Sequence, residues 1–139
     1  MVGLALMLVF LSAIASAEAR CPWLNAATAG GVLGGSVEMS VTATSCEFTR
    51  SGALLRIEVA SASAKAAHCG AGAEALRGIG NQAFECAYQG QPGWTGQQVV
   101  GRVRDQAFVV RIAAADRGMA KSLRENVRKV AEQVAGILF

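Results

Sequence analysis

The chain has 139 residues, 53% of them hydrophobic, and its 13 basic and 10 acidic side chains give a formal net charge of +3 at pH 7. So mild a balance argues against a nucleic-acid-binding protein, which needs a basic stripe or patch. The length suits one domain with a core of ordinary size, and because residues 1–17 and many alanines raise the hydrophobic share, the composition does not indicate a membrane domain.

The N-terminal segment predicts export. Residues 1–17 carry no charge and end in Ala-Ser-Ala, which is typical of a signal-peptidase site. We therefore expect residues 1–17 to be a signal peptide and residues 18–139 to be a periplasmic or extracellular domain. The basic residue that normally precedes the apolar segment is missing, which a truncated start site would explain. The competing interpretation is an uncleaved membrane anchor, but a spanning helix needs roughly 20 apolar residues. A lipidated Cys21 is disfavoured, because Glu-Ala-Arg precedes it.

Four cysteines in an exported chain predict two disulfides. Three connectivities are open, and we favour Cys21 with Cys46 and Cys69 with Cys86, because each pair would tie a helix or its approach to a following strand. A zinc site is the alternative. It is disfavoured because there is no Cys-x-x-Cys and His68 is the only histidine. We expect no metal and no cofactor.

The first half of the mature chain predicts a helix over residues 23–35, closed by glycines, followed by three strands. Apolar and polar residues alternate in these strands, as expected when one face of a sheet is buried. The strands are expected over residues 37–42, 46–49 and 53–59. An alanine-rich second helix is then expected over residues 63–76, with Ser63 as its N-cap candidate and with fraying near Cys69.

The second half predicts three more strands and a last helix. The glycines at 78 and 80 break the chain before a short strand over residues 84–88, and residues 89–96 form a loop. Residues 99–103 and 107–112 predict a hairpin joined at 104–106. From residue 118 to the end, apolar residues recur every three or four positions, as in a helix. The order α-βββ-α-βββ-α predicts a single α+β domain, an antiparallel sheet of five to six strands flanked by helices.

No catalytic motif emerges. The Gly-Ile-Gly-Asn-Gln-Ala stretch at residues 78–83 lacks the third glycine of a dinucleotide loop, and there is no Gly-x-Ser-x-Gly elbow. On a helix, His68 and Cys69 would point about 100° apart, too far to act on one substrate atom. Three acids on strands are expected to form ion pairs beside Arg56. These acids are Glu38, Glu47 and Glu58. We therefore expect no enzyme activity.

The candidate ligand-binding residues are one aromatic side chain and three arginines. Trp94 lies on a glycine-flanked loop, where it could contact a partner or a sugar ring; alternatively, it folds back against a sheet edge or a helix end. Arg102 and Arg111 are expected side by side across the hairpin, with Arg56 on the same face, lining a shallow groove if no helix covers it. Basic residues on the last helix predict a solvated surface, with an anionic lipid, surface polymer or acidic partner as the alternative. They are Arg117, Lys121, Arg124 and Arg128.

The layout of the mature chain resembles small exported bacterial domains of unknown function. It combines an early Cys and an Ala-rich helix ending in Leu-Gly-Gly with a Cys-Glu-Phe strand, the Gly-Ile-Gly-Asn-Gln-Ala turn, a Val-Val hairpin and a last amphipathic helix. It is similar to actinobacterial envelope lipoproteins and to kinase extracellular sensor domains, and more distantly to the PsbP-like α/β/α sandwich. The resemblance implies a fold and supplies no catalytic residues. This chain departs from the lipoproteins in lacking their lipidation cysteine.

These observations predict an exported, non-catalytic domain that binds a small ligand or an envelope protein, with no nucleic-acid partner and no membrane domain after signal cleavage. The alternatives are a hydrolase of cell-envelope material and a structural accessory subunit. A pocket with clustered, strongly perturbed acids would favour the hydrolase. An apolar cleft or an exposed Trp94 would favour binding.

The export prediction is tested by the non-reducing intact mass of the protein secreted from its native host. We expect a chain that begins at Glu18 and is lighter by the four hydrogens that two disulfides remove from four cysteines. A mass that starts at Met1, or four free thiols, would overturn the assignment of compartment.

Overall fold

The computed structural model describes residues 19–62, 68–115 and 117–139, which form one antiparallel seven-stranded sheet with three helices. The strand order is β1-β2-β3-β7-β6-β5-β4. The strands are β1 (Glu38–Val41), β2 (Ser45–Arg50), β3 (Ala53–Ser61), β4 (Glu74–Leu76), β5 (Gln82–Tyr88), β6 (Thr95–Val103) and β7 (Gln106–Ala114). The helices are α1 (Ala26–Leu33), α2 (Arg117–Ala120) and α3 (Leu123–Leu138).

The helices pack on one side of the sheet, which we call the helix face. Alternate residues of each strand point to this side, so Ile57 of β3 and Val110 of β7 lie opposite each other and are fully buried. Helix α1 packs on β2 and β3, whereas α3 packs on β6 and β7. The intervening residues of each strand point to the other side, which we call the open face.

Helix α1 is fixed at both ends. The Asn25 side chain caps its start, because Oδ1 accepts a hydrogen bond of 2.7 Å from the backbone nitrogen of Thr28. Gly34 ends it in the left-handed conformation (φ 88°), and Arg50 of β2 donates from Nη1 to the Leu33 carbonyl at 2.7 Å. The polypeptide before α1 is tied to β2 by the Cys21–Cys46 disulfide.

A second disulfide holds the long connection between β3 and β4. Since β7, β6 and β5 lie between these two strands, the connection has to cross three strands. Cys69 of this connection is bonded to Cys86 of β5, with their Cα atoms 5.7 Å apart. Cys86 lies opposite Gln98, which lies opposite Arg111 on the open face, so the described part of the connection around Cys69 lies on that side. Both predicted disulfide pairings are confirmed.

The α+β class and the antiparallel sheet are confirmed, but the finer arrangement differs from the predicted one. There are seven strands rather than five or six, and the helices flank one face only. The last predicted helix is divided into α2 and α3. No helix within the described residues is long and apolar enough to span a membrane. The predicted signal peptide, residues 1–17, lies outside the described residues.

The predicted second helix over residues 63–76 is wrong where the structure describes it. Residues 68–73 are not helical, and β4 occupies Glu74–Leu76, while residues 63–67 lie outside the described part. Glycines oppose a helix at this point. Gly72 adopts φ 87°, which is not a helical conformation, and Gly70 would lose more backbone entropy than another residue on forming a helix. The pairing of β4 with β5 then outweighs the helix propensity of the alanines.

An ion cluster anchors α3 to the β4–β5 edge of the sheet. Glu85 of β5 points to the helix face with only 1% of its side chain exposed, and it accepts hydrogen bonds from Nε of Arg124 and Nε of Arg128, at 3.0 and 2.8 Å. Both arginines also bind Glu74 of β4. Two of the four basic residues predicted to form a solvated surface are therefore engaged in the fold, because carboxylates on β4 and β5 reach them.

We expect Glu85→Gln to lower the free energy of unfolding by about 2 kcal/mol, because it removes charge-assisted hydrogen bonds to both arginines. Urea denaturation followed by circular dichroism measures the change. Glu125→Gln is the matched control: Glu125 is exposed and paired only with Lys129, four residues along α3. The control should leave the midpoint essentially unchanged. Equal effects of the two substitutions would contradict this role of Glu85.

Candidate functional site

A polar row crosses the middle of the open face. The register places one residue from each of five neighbouring strands in this row: Glu47, Arg56, Arg111, Gln98 and Cys86. An apolar row lies beside it, formed by Val109, Val100 and Phe84. This apolar row separates the polar row from a third row, in which Arg102 lies between Ala107 and Gln82.

Arg56 is neutralised by two of the three acids that the sequence predicts beside it, Glu58 and Glu47, but not by Glu38. Its Nε lies 2.7 Å from Oε1 of Glu58, and its Nη1 lies 2.9 Å from Oε2 of Glu47. The hydrogen bond to Glu58 is the largest cause of a raised pKa of Arg56, partly offset by desolvation and reinforced by Glu47. The charge of Arg56 is therefore satisfied within the protein.

Arg111 lies directly opposite Arg56 but has different neighbours. Its Nε donates to Oε1 of Gln98 at 2.9 Å, and its guanidinium carbon lies 5.6 Å from the ring centroid of Tyr88. Gln98 is 6% exposed and donates from Nε2 to Sγ of Cys86 at 3.3 Å. The orientation of Arg111 thus depends on Gln98, which is in turn held against the disulfide.

Tyr88 packs on a glycine of the neighbouring strand. A Cβ at Gly96 would lie 2.6 Å from the ring carbon Cε1 of Tyr88. The aromatic ring therefore occupies the space that the side chain of any other residue at position 96 would need. Burial raises the pKa of Tyr88, opposed by the positive charge of Arg111. The phenol is therefore neutral at physiological pH and keeps its proton as a hydrogen-bond donor.

Trp94 lies in the loop between β5 and β6, and its side chain is partly buried rather than fully exposed. A Cβ placed at Gly90 would lie 3.7 Å from Cβ of Trp94 and 3.6 Å from Cβ of Ala113. Because Ala113 belongs to the open face, this loop lies at the end of that face. The structure thus brings Trp94 and the three candidate arginines to one side of the sheet.

A cavity of about 330 Å³ lies between the open face and the crossing connection. Its floor includes Phe84, Val100 and Ala107. Its other walls include Ala62, Cys69 and Ala73 of the connection, and its polar side chains are His68, Gln82 and Arg102. Among the described lining residues there is no acid.

The predicted contact between Arg102 and Arg111 is wrong. The β6–β7 hairpin pairs Val103 with Gln106, which places Arg102 opposite Ala107 and Arg111 opposite Gln98. The sequence predicted a three-residue connection, whereas the structure has a two-residue turn at Arg104 and Asp105. Arg104 adopts φ 54°, the left-handed conformation that tight hairpin turns require. Because Arg-Asp is not a typical sequence for such a turn, the two-residue turn could not be recognised from the residues alone.

Thiol chemistry at Cys69 is excluded, because its sulfur is bonded to Cys86. In the described part of the chain, no three or more His, Cys, Asp or Glu side chains are grouped so that they could hold a metal ion. Sequence reasoning missed Gln98, Tyr88 and the cavity floor. Strand alternation alone could have placed Val100 and Phe84 on the open face, but the crossing of the connection above them could not be predicted locally.

No protein-family model, curated protein or solved structure matches this chain. The geometry of the open face carries the functional argument.

Proposed function

We propose that this chain is an exported, non-catalytic binding domain whose ligand is a small amphipathic anion held in the cavity on the open face. The observation that carries the proposal is the composition of the cavity wall, which combines apolar side chains with polar donors and contains no acid among its described residues. Two disulfides support a location in an oxidising compartment outside the cytoplasm.

The size and apolar surface of the cavity favour a small molecule. Its volume of about 330 Å³ is at the lower end of the range of ligand pockets. Phe84 and Val100 provide adjoining apolar surface, since they lie opposite each other on β5 and β6. A short hydrocarbon chain or one aromatic ring would remove this surface from water and gain hydrophobic free energy.

The polar groups of the cavity favour a negatively charged ligand. Arg102 of β6 and Gln82 of β5 are cross-strand neighbours, so both can donate to one ligand group, and His68 lines the same cavity. The backbone is fixed here, because the Arg102 carbonyl accepts a hydrogen bond of 2.8 Å from the nitrogen of Asn81. An arginine that meets no acid within the cavity is suited to a carboxylate or a similar anion.

The arrangement does not favour a hydrolase. Glu47 and Glu58, the acids nearest the centre of the open face, are both bound to Arg56 and neither lines the cavity. The sulfur atoms of Cys69 and Cys86 are bonded to each other. Hydrolysis needs a nucleophile paired with a base. His68 lines the cavity, but the described lining residues include no hydroxyl, free thiol or carboxylate that it could activate or that could orient it. We therefore propose binding without a chemical step.

We expect hexanoate to bind in the cavity and Arg102→Gln to weaken this binding by about tenfold or more, because a charge-assisted hydrogen bond is lost. Titration by NMR, which follows the backbone amides of residues 84, 100 and 107, measures the affinity. Arg104→Asn is the matched control: it removes an equal charge from the same hairpin, and asparagine tolerates the positive φ at that position. The control should bind as the parent chain does.

Val100→Trp should abolish hexanoate binding by filling the cavity, and near-ultraviolet circular dichroism checks that this variant is folded. Uncharged hexanol tests the role of charge. Hexanol that binds as tightly as hexanoate, or hexanoate that leaves these amides unchanged, would contradict the proposal.

A further inference from the structure

Arg111 is exceptional among the partly buried arginines. Three arginines in the described part of the chain are partly buried: Arg56, Arg111 and Arg128. Arg56 and Arg128 are each bound to two glutamates. Within the same described residues, Arg111 has no ion pair with any acid. A guanidinium that is partly withdrawn from water without a counter-charge loses hydration free energy that no ion pair replaces. The Arg111 guanidinium is therefore a candidate binding group for a negatively charged ligand.

The guanidinium of Arg111 is held in one orientation. Arginine can only donate hydrogen bonds, so Gln98 must turn its oxygen toward Nε of Arg111. The amide nitrogen of Gln98 then points to Sγ of Cys86, as observed. Tyr88 lies against the guanidinium on another side. Because these contacts restrict Arg111 before any ligand arrives, binding would cost little side-chain entropy.

The two Nη groups of Arg111 have no acceptor among the described residues. No described residue accepts a hydrogen bond from them, and in the described structure no side-chain nitrogen or oxygen that is shut off from solvent lacks a hydrogen-bond partner. Within the described part of the chain, the Nη groups are therefore free to bind a ligand. The same reasoning applies to the hydroxyl of Tyr88, which no described residue binds and whose raised pKa keeps it protonated.

We propose that Arg111, oriented by Gln98 and flanked by Tyr88, is a second binding site that takes a carboxylate group. The planar fork of the Nη groups matches the two oxygens of a carboxylate, and the bonds can form in parallel. Glu47 and Glu58 do not fill this position, because Arg56 holds them both. The site is separate from the cavity, since the row containing Val109 and Val100 lies between Arg111 and Arg102.

The carboxylate can come from a small free acid or from an aspartate or glutamate side chain of a partner, and the experiment distinguishes these sources. It uses the Arg102→Gln background, in which the charged group of the cavity is absent. Acetate and a short acetylated peptide of aspartate and glutamate are titrated separately at constant ionic strength. NMR follows the Nε–H signal of Arg111 and the ring signals of Tyr88, the only tyrosine in the chain.

Both signals should shift with a saturable dependence on acetate, on the peptide, or on both. Arg111→Met should weaken the binding by about tenfold. Arg111→Lys should have an affinity between those of the Met variant and the parent, because lysine keeps the positive charge without the planar pair of Nη donors. The matched control is Arg77→Met, which removes the same charge from an exposed position. The Tyr88 signals report binding in the variants that lack the Arg111 Nε–H.

A preference for acetate would identify a small-acid site, and a preference for the peptide would identify a contact with an acidic partner; either supports the proposal. Equal weakening by Arg77→Met would overturn it, because net charge would then explain the effect. It would also be overturned if neither ligand shifts the signals, or if inorganic phosphate binds more tightly than both. If hexanoate does not bind in the cavity, the proposal for Arg111 is unaffected, since the two sites use different arginines.

Discussion

The Cys69–Cys86 disulfide is the contact on which the open face depends. It ties the described part of the β3–β4 connection to the surface of the sheet, and these described residues form a wall of the cavity. The same sulfur of Cys86 receives a hydrogen bond from Gln98, which holds Arg111 in place. One covalent bond thus supports both the apolar cavity and the polar row beside it. The Cys21–Cys46 disulfide acts elsewhere, joining the approach to α1 to β2.

The two faces of the sheet are stabilised in different ways. On the helix face, α1 and α3 bury a continuous apolar core, and the carboxylate of Glu85 is compensated by two arginines. On the open face, Val109 is only 7% exposed although it points away from the helices. The open face therefore combines buried apolar surface with polar groups that retain access to solvent. That combination is typical of a ligand site and unusual for a sheet that is merely solvated.

The sequence was most informative where structure is local. Alternation in β3 and β7 predicted which residues face the core, because the side-chain period of a strand is two. It could not predict the partners of Glu85, because the residues of α3 that bind it lie about 40 positions away. The alanines of residues 63–76 favoured a helix, but β4 pairs with β5 instead. Arg111 was correctly placed on the open face, whereas its contact with Gln98 depended on a two-residue turn that the sequence did not indicate.

The most direct test of a binding site built on the Cys69–Cys86 disulfide is the hexanoate affinity of two double variants, Cys69→Ala/Cys86→Ala and Cys21→Ala/Cys46→Ala. Each variant loses one disulfide and about 2 to 5 kcal/mol of stability. Their hexanoate affinities are therefore compared under conditions in which circular dichroism shows both variants to be folded. We expect the first variant to bind hexanoate about tenfold more weakly, because the cavity wall is no longer held in place, and the second to bind as the parent chain does. Unchanged affinity in the Cys69→Ala/Cys86→Ala variant would contradict the account.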